Sequence, residues 1–262
     1  MNTDNVIITN PIGVMSLAKR EIIRFLSVAT QTIVPPLISS ALFMCIFGLA
    51  IGRRIDFGDI NMTYLEFIIP GLMTMHLITS SYENTSSSLF IARWHNHIQE
   101  ILLSPLSYFE MVLGLLAGGL ARGVMVTLGI FLLSTWINPM SIAHPFLLIY
   151  FILMISCIFS CLGMLGALWA EDFNMLGMFN TYFIMPLVFV GGVFYPIKLI
   201  PQAFRFITTF DPIYYLVNGM RYSMTGLTEI PILYSVIFAF SVAVSVFFLT
   251  VYLFKIGYKL RT

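Results

Sequence analysis

The sequence predicts an all-α polytopic membrane protein: six transmembrane helices, an N-terminal amphipathic helix at the interface, and a re-entrant helical hairpin between spans five and six. Three observations predict it. The 262 residues are 59% hydrophobic and 10% charged, with a mean hydropathy of +0.94, whereas soluble domains carry roughly a quarter charged residues. The apolar residues fall into stretches close to the ~20 residues that a bilayer demands. Residues 191–222 are too apolar and aromatic for a solvated loop, yet Gly191, Gly192, Pro196, Pro201 and Pro212 interrupt them, and Lys198, Arg205, Asp211 and Arg221 charge them. Non-helical backbone at membrane depth is tolerated only where protein or a wet cavity covers it. This stretch therefore reads as short helices that dip into one face and return.

Low charge extends over the whole chain, which excludes a soluble domain on a single anchor, so residues 1–262 read as one membrane domain. A net charge of +1 gives no basic field, and no RNA or DNA module is present; nucleic acid is not an expected partner. Cys45, Cys157 and Cys161 lie in apolar stretches and read as small buried residues. Cys157 and Cys161 share a helix face, but no His or carboxylate accompanies them as a metal set would require. Residues 1–11 lack the basic, apolar, small-residue order of a signal peptide.

The elements follow in order. Residues 12–31 mix apolar side chains with Lys19, Arg20, Glu21 and Arg24 on about one turn, which suits a helix lying at the interface with its bases near lipid phosphates; a plain lead-in to the first span is the alternative. Pro35 and Pro36 mark the elbow into that span, residues 33–52, because proline is accepted in a first turn and not in an interior. The second span runs from Thr63 into the eighties; its end, residues 79–88, is rich in Ser and Thr and reads as emerging into a wet region. Residues 90–107 form an amphipathic segment between spans. Spans three to six are expected at residues 108–136, 145–170, 174–194 and 230–254, with links at 138–144 and at Glu171-Asp172 and the re-entrant segment at 191–228. Lys19, Arg20, Arg24, Arg93, Lys255, Lys259 and Arg261 then share one side, against Arg53, Arg54, Lys198, Arg205 and Arg221. That bias favours both termini in the cytoplasm.

Four features bear on chemistry. A helix over 90–107 would set Ile91, Trp94, Ile98, Ile101 and Leu102 on an apolar face, with Arg93, Asn96, Gln99 and Glu100 elsewhere, until Ser104-Pro105 ends it. Such a helix docks into a groove on a soluble partner or rests on the membrane. His95 and His97, at i, i+2 on a helix, would point apart, which disfavours a metal. Arg122, inside the third span, is a functional candidate by position, with Glu66 the nearest carboxylate by depth, His76 deeper and Glu83 near the cytoplasm; snorkelling outward is the alternative. Gly114 with Gly118, and Gly119 with Gly123, give the small-xxx-small spacing of close helix contacts, within the chain or at a dimer seam. No G-x-x-x-x-G-K-[ST] loop occurs, so the chain builds no Walker ATP site by itself, and neither H-E-x-x-H nor G-x-S-x-G is found.

On particular motifs the chain resembles the ABC-2 type permeases, membrane subunits of bacterial ATP-driven exporters. Within them it is similar to the YadH-like, nodulation-factor and drug-resistance permeases. The residues that carry this are the VPP elbow, IPGL at 69–72, QEILLSP at 99–105, GGLARG around Arg122, MPLVFVGGVFYP at 185–196, Leu199-Ile200-Pro201 and DPIYYLVNGMRY at 211–222, where Asp211 replaces the Asn of many relatives. The resemblance implies two copies of this chain in the bacterial inner membrane with two separate ABC ATPase subunits that bind ATP and Mg; the chain itself is expected to hold no cofactor or metal and to be no enzyme. It places Gln99, Glu100, Leu102, Leu103, Ser104 and Pro105, with Arg93, in or beside the coupling helix that seats on the ATPase. It places Gly191, Gly192, Phe194, Pro196, Pro201, Asp211, Pro212 and Arg221 in re-entrant helices at the outer exit. The substrate is left open among drugs, lipids, glycolipids and polysaccharides. An ion-coupled secondary carrier using Glu66, His76 or Glu83 is the alternative function.

Overall fold

The structure is a computed structural model that describes residues 10–51, 62–197 and 202–260; Arg53, Arg54, Lys198, Leu199, Ile200, Pro201 and Arg261 lie outside them. The described residues are almost wholly helical. In order they are α1 (Pro11–Leu26), α2 (Ala29–Thr32), α3 (Val34–Cys45) running into a π-helical turn (Ile46–Ile51), α4 (Tyr64–Trp94), α5 (Ile98–Leu103), α6 (Tyr108–Ile137), α7 (Pro145–Trp169), α8 (Phe173–Phe179), a second π-helical turn (Asn180–Ile184), α9 (Met185–Val190), α10 (Gln202–Phe210), α11 (Pro212–Thr225) and α12 (Ile232–Ile256). Local chemistry sets most boundaries. Thr63 and Glu66 close a capping box on α4, and Ser107 and Glu110 do so on α6, each satisfying two orphan amides. Pro35 and Pro36 stand in the first turn of α3. Pro186 removes an amide just after the second π turn, and a wider turn accommodates such a gap in the ladder. Gly192, at φ +76°, ends the run at Val190, so the fifth apolar segment stops short of the expected residue 194.

Among the described residues five helical segments are long and apolar enough to cross a membrane: Ala29–Gly48, α6, α7, Phe173–Val190 and α12. The helix α4 is not among them, although its 31 residues span about 46 Å at 1.5 Å each. Its place in the molecule explains its composition. Every residue from Phe67 to Phe90 is buried except Glu83 and Ser87, because α7, α6 and α11 pack around it. A helix enclosed by protein needs no continuous apolar surface.

Two sequence expectations for this region are corrected. The helix does not stop in the eighties but continues to Trp94, and Ser80, Ser81, Asn84, Thr85, Ser86 and Ser88 are buried against neighbouring helices, not wet. Residues 90–107 are not one helix. A turn at residues 95–97, with Asn96 at φ +59°, separates α4 from α5. Asn tolerates that left-handed conformation better than most residues. Ile91 and Trp94 therefore end one helix while Ile98 and Ile101 face inward from another. As expected, α5 stops before Ser104-Pro105.

The glycine spacing serves packing within the chain. A Cβ on Gly114 or Gly118 would meet Leu17 or Glu21 of α1, while one on Gly119 or Gly123 would meet Thr85 and Ser160 or Ser81 and Leu77. The two pairs thus admit α1 on one side of α6 and α4 with α7 on the other. Of the cysteines, Cys161 is buried and Cys157 partly so, but Cys45 is exposed, since it ends the peripheral helix α3. Among the described residues two apolar clusters result. One fills the end of the bundle where α4 begins, and the other fills the end bearing α5, the start of α1 and the end of α12.

Candidate functional site

Between the two apolar clusters lies a polar layer that joins α1, α4, α6 and the segment after α8. Its floor is Glu21, fully buried at 0% exposure. Arg20 Nη2 donates to Glu21 Oε1 at 2.9 Å, Arg24 Nε to Oε2 at 3.1 Å, and Ser88 Oγ to Oε2 at 2.6 Å. Arg24 Nη2 also donates to the Asn84 carbonyl at 2.8 Å and to Asn84 Oδ1 at 3.0 Å. Arg24 thus turns inward, away from the lipid phosphates expected for it. The reason is local: a buried carboxylate needs compensating donors, and the i, i+3 position on α1 supplies one.

Next to Asn84, Glu83 receives Arg122 Nη2 at 3.0 Å and Asn180 Nδ2 at 3.3 Å. Arg122 is buried, whereas the Glu83 side chain is 48% exposed. The partner that the sequence left open is therefore Glu83 and not Glu66, the nearest carboxylate by depth, and Arg122 does not snorkel outward. A second helix ending in the eighties would leave Glu83 near the cytoplasm; with α4 reaching Trp94, Glu83 lies about three turns inside, level with Arg122 on the antiparallel α6. Glu66 instead caps α4, its Oε2 accepting from Thr63 N at 2.8 Å. His76 Nε2 lies 3.4 Å from Ser39 Oγ, linking α4 to α3. The layer draws further hydroxyls together: Thr85 Oγ1 donates to the Ser160 carbonyl at 2.8 Å. Its members Ser88, Asn84 and Asn180 are not singled out by the sequence. The signal available is the run of small polar residues at 79–88, which a solvated end explains as readily.

At the end bearing α5, Gln99, Glu100 and Pro105 are exposed and Leu102 and Ser104 partly so. Leu103 projects at 85% exposure over the buried Ile98 and Ile101. Arg93 differs from these. Its Nη1 donates to the carbonyls of Ala167, Leu168 and Ala170 at the end of α7. His95 and His97 sit in the turn, not on a helix, with ring centroids 6.0 Å apart, and His97 Nδ1 is 3.4 Å from Glu100 Oε1. Among the described residues no group of three His, Cys, Asp or Glu could hold a metal ion.

The opposite end contains residues 191–197 and 202–228. Arg221 is buried, donates Nη2 to the Gly192 carbonyl at 2.7 Å, and stacks over the Phe67 ring at 3.7 Å from its centroid. Tyr64 donates to the Phe194 carbonyl at 2.8 Å, so Phe194 and the Gly191-Gly192 turn are tied to α4 and α11. Gly71 admits this turn, since a Cβ there would lie 2.6 Å from the Val193 carbonyl. Asp211 Oδ1 caps α11 by accepting from Ile213 N at 2.8 Å, with Pro212 at the first helical position. Burial pushes the Asp211 carboxyl up to about 6, and its Oδ2 has no hydrogen-bond partner among the described residues. Pro196 is buried beside Tyr195. Pro201 lies outside the described residues.

Comparison with known proteins supplies what geometry does not. The family model described as ABC-2 type transporter matches residues 13–225. The chain is 34% identical over 236 residues to the inner membrane transport permease YadH of Escherichia coli K12, covering 88% of this chain and 91% of that protein. It is 23% identical over 186 residues to Nodulation protein J of Rhizobium leguminosarum bv. viciae, 69% of this chain and 71% of that one. With Nodulation protein J of Rhizobium meliloti it shares 21% identity over 210 residues, 79% of each.

Proposed function

The chain belongs to the ABC-2 type transporter family, and from that premise we propose that it is the permease subunit of an ABC exporter in a bacterial inner membrane. Two copies form the pathway, and two copies of a separate cytoplasmic ATPase, binding ATP and Mg, drive it. In this reading α4 is the sixth span, enclosed by the other helices; α1 lies at the inner interface; both termini are cytoplasmic; and α10 with α11 forms the re-entrant hairpin at the outer exit. The contacts of α11 with α9, α4, α7 and α12 support the hairpin.

The single observation that carries the coupling reading is α5. It is a short helix seated by Ile98 and Ile101 with Gln99, Glu100 and Leu103 turned outward, the shape a partner groove accepts. Glu100→Arg and Leu103→Asp are expected to release an ABC ATPase that co-purifies with the wild-type permease, and Pro105→Leu to misdirect the helix and impair coupling. Melting temperatures should stay within a few degrees. Undiminished ATPase recovery with the first two variants would refute the docking role of α5, and a tagged permease that never carries an ATPase would refute the exporter reading.

A further inference from the structure

The four carbonyls that end an α-helix have no partner within it. At the end of α7 all four are met by two cations from elsewhere in the chain. Arg93, in the last turn of α4, donates to Ala167, Leu168 and Ala170, and Lys259 Nζ donates to Trp169 O at 3.3 Å while lying 3.6 Å from Glu171 Oε1. Lys259 arrives there because Gly257, at φ +69°, reverses the chain after α12, with Tyr258 N donating to Leu253 O at 3.1 Å. Lys259 itself sits at φ +51° and Asn96, just beyond Arg93, at φ +59°. These are the two non-glycine residues of positive φ among the described residues. They line one cavity with Arg93, Trp94, Ile98 and Leu260. Below it Leu260, Phe254, Ile98, Ile101, Ala170 and Leu176 share one apolar cluster.

We propose that this cationic clamp is the transmission element of the transporter: Arg93 conveys displacement of α5 to the turn at Glu171-Asp172 and so to the fifth helical segment, α8–α9. This rests on the reading of α5 as the ATPase docking helix. The placement favours transmission over docking for Arg93, because its guanidinium faces α7 and is spent on carbonyls. Only four residues, Trp94 to His97, separate Arg93 from α5, and Asp172 Oδ1 caps α8 by accepting from Met175 N at 2.9 Å, directly after the clamped carbonyls. A push on α5 thus reaches the fifth segment through one side chain and one turn, beside the direct contacts of α8 with α4 at Phe90–Phe173 and Tyr82–Leu176. Arginine suits this position because its guanidinium is more weakly hydrated than a lysine ammonium and so is drawn against buried carbonyls at less cost.

The test uses the whole permease with its co-purified ATPase in lipid vesicles. An environment-sensitive fluorophore is placed on Gly177→Cys of α8, where a Cβ has nothing within 4 Å, with the exposed Cys45 replaced by Ser. Adding a non-hydrolysable ATP analogue is expected to shift the emission. In Arg93→Gln the shift should fall at least fivefold with the ATPase still bound at the same ratio, and Arg93→Lys should fall between. Lys259→Gln, should Arg93→Gln not fold, is expected to reduce the shift by about half. A merely structural cap would lower the melting temperature and leave the shift of the folded protein intact; that result, or an absent shift in the parent, overturns the clamp. Docking is judged separately from ATPase retention in Leu103→Asp. If that variant keeps its ATPase while Arg93→Gln loses the shift, the α5 reading fails and the clamp stands as a link from another input.

Discussion

Arg122 is buried while Glu83 is half open to its surroundings, so the two partners are not equivalent to remove. Glu83→Ala strands a guanidinium among helices. Breaking a buried pair costs roughly 3–5 kcal/mol, which screening at the exposed carboxylate reduces to about 1–2 kcal/mol here. Arg122→Met leaves a carboxylate that solvent and Asn180 can still satisfy, and it should cost less than about 1 kcal/mol. Melting curves in detergent that rank the variants the other way would show that the pair is not organised around Arg122. Asp211 gives the pH dependence. Its folded pKa, about 6, lies above the ordinary 3.8, so the contribution of its protonated form is full below pH ~4 and is lost as pH rises through 6. The loss is on the order of 2 kcal/mol. Asp211→Asn keeps the acceptor for Ile213 and does not titrate. It should melt at the same temperature from pH 4 to 7 and above the wild type at pH 7; parallel wild-type and variant profiles would refute the assignment.

At the scale of elements, α4, α6 and α7 approach so closely that their small residues cannot be enlarged. A Cβ on Gly163 would collide with the Tyr82 carbonyl and the Thr85 hydroxyl, and a backbone carbonyl cannot swing aside. Gly163→Ala should therefore cost about 2–3 kcal/mol. Gly177→Ala faces open space and should stabilise α8 by about 0.5–1 kcal/mol. Comparing the two by thermal melting separates packing from helix propensity: similar losses would mean that the contact at Gly163 is not made. The same contrast explains the fate of the glycine motifs. The faces of α6 that carry these glycines already hold α1 or α4 with α7, which leaves its remaining face and the apolar outer faces of α3, α8–α9 and α12 for lipid or a second copy.

At the scale of the molecule, the arrangement of ends sets the topology. The α5 end gathers the start of α1, the end of α12 and Lys259, and the other gathers the 138–144 link and α11, where Ala143 N donates to Met224 O at 3.1 Å. If both termini are cytoplasmic, as proposed, Ser141→Cys should react with a membrane-impermeant maleimide in intact cells, while Gln99→Cys should react only after permeabilisation. The reverse pattern would invert the protein, and reaction at both would break the span count. The polar layer lies between the two apolar cores, so a change that separates α1 from α6 exposes Glu21 and Arg24 together.

Composition alone determined the membrane class, because no soluble fold buries this much apolar surface with so few charges. Local rules placed the boundaries of α3, α6, α7 and α12 within a few residues, since prolines, capping boxes and glycines act over one turn. The motifs carried the family, which the family model and the relatives then bore out. What only the tertiary structure decided concerns enclosure. Hydropathy judges a helix as if lipid surrounded it, so α4, surrounded by protein, reads as ending early and wet where it is longest and most buried. That misjudged length moves Glu83 away from Arg122. Nor could periodicity foresee that Asn96 breaks the segment 90–107, or that Arg93 faces α7, because the carbonyls it meets belong to a helix 74 residues or more further along the chain.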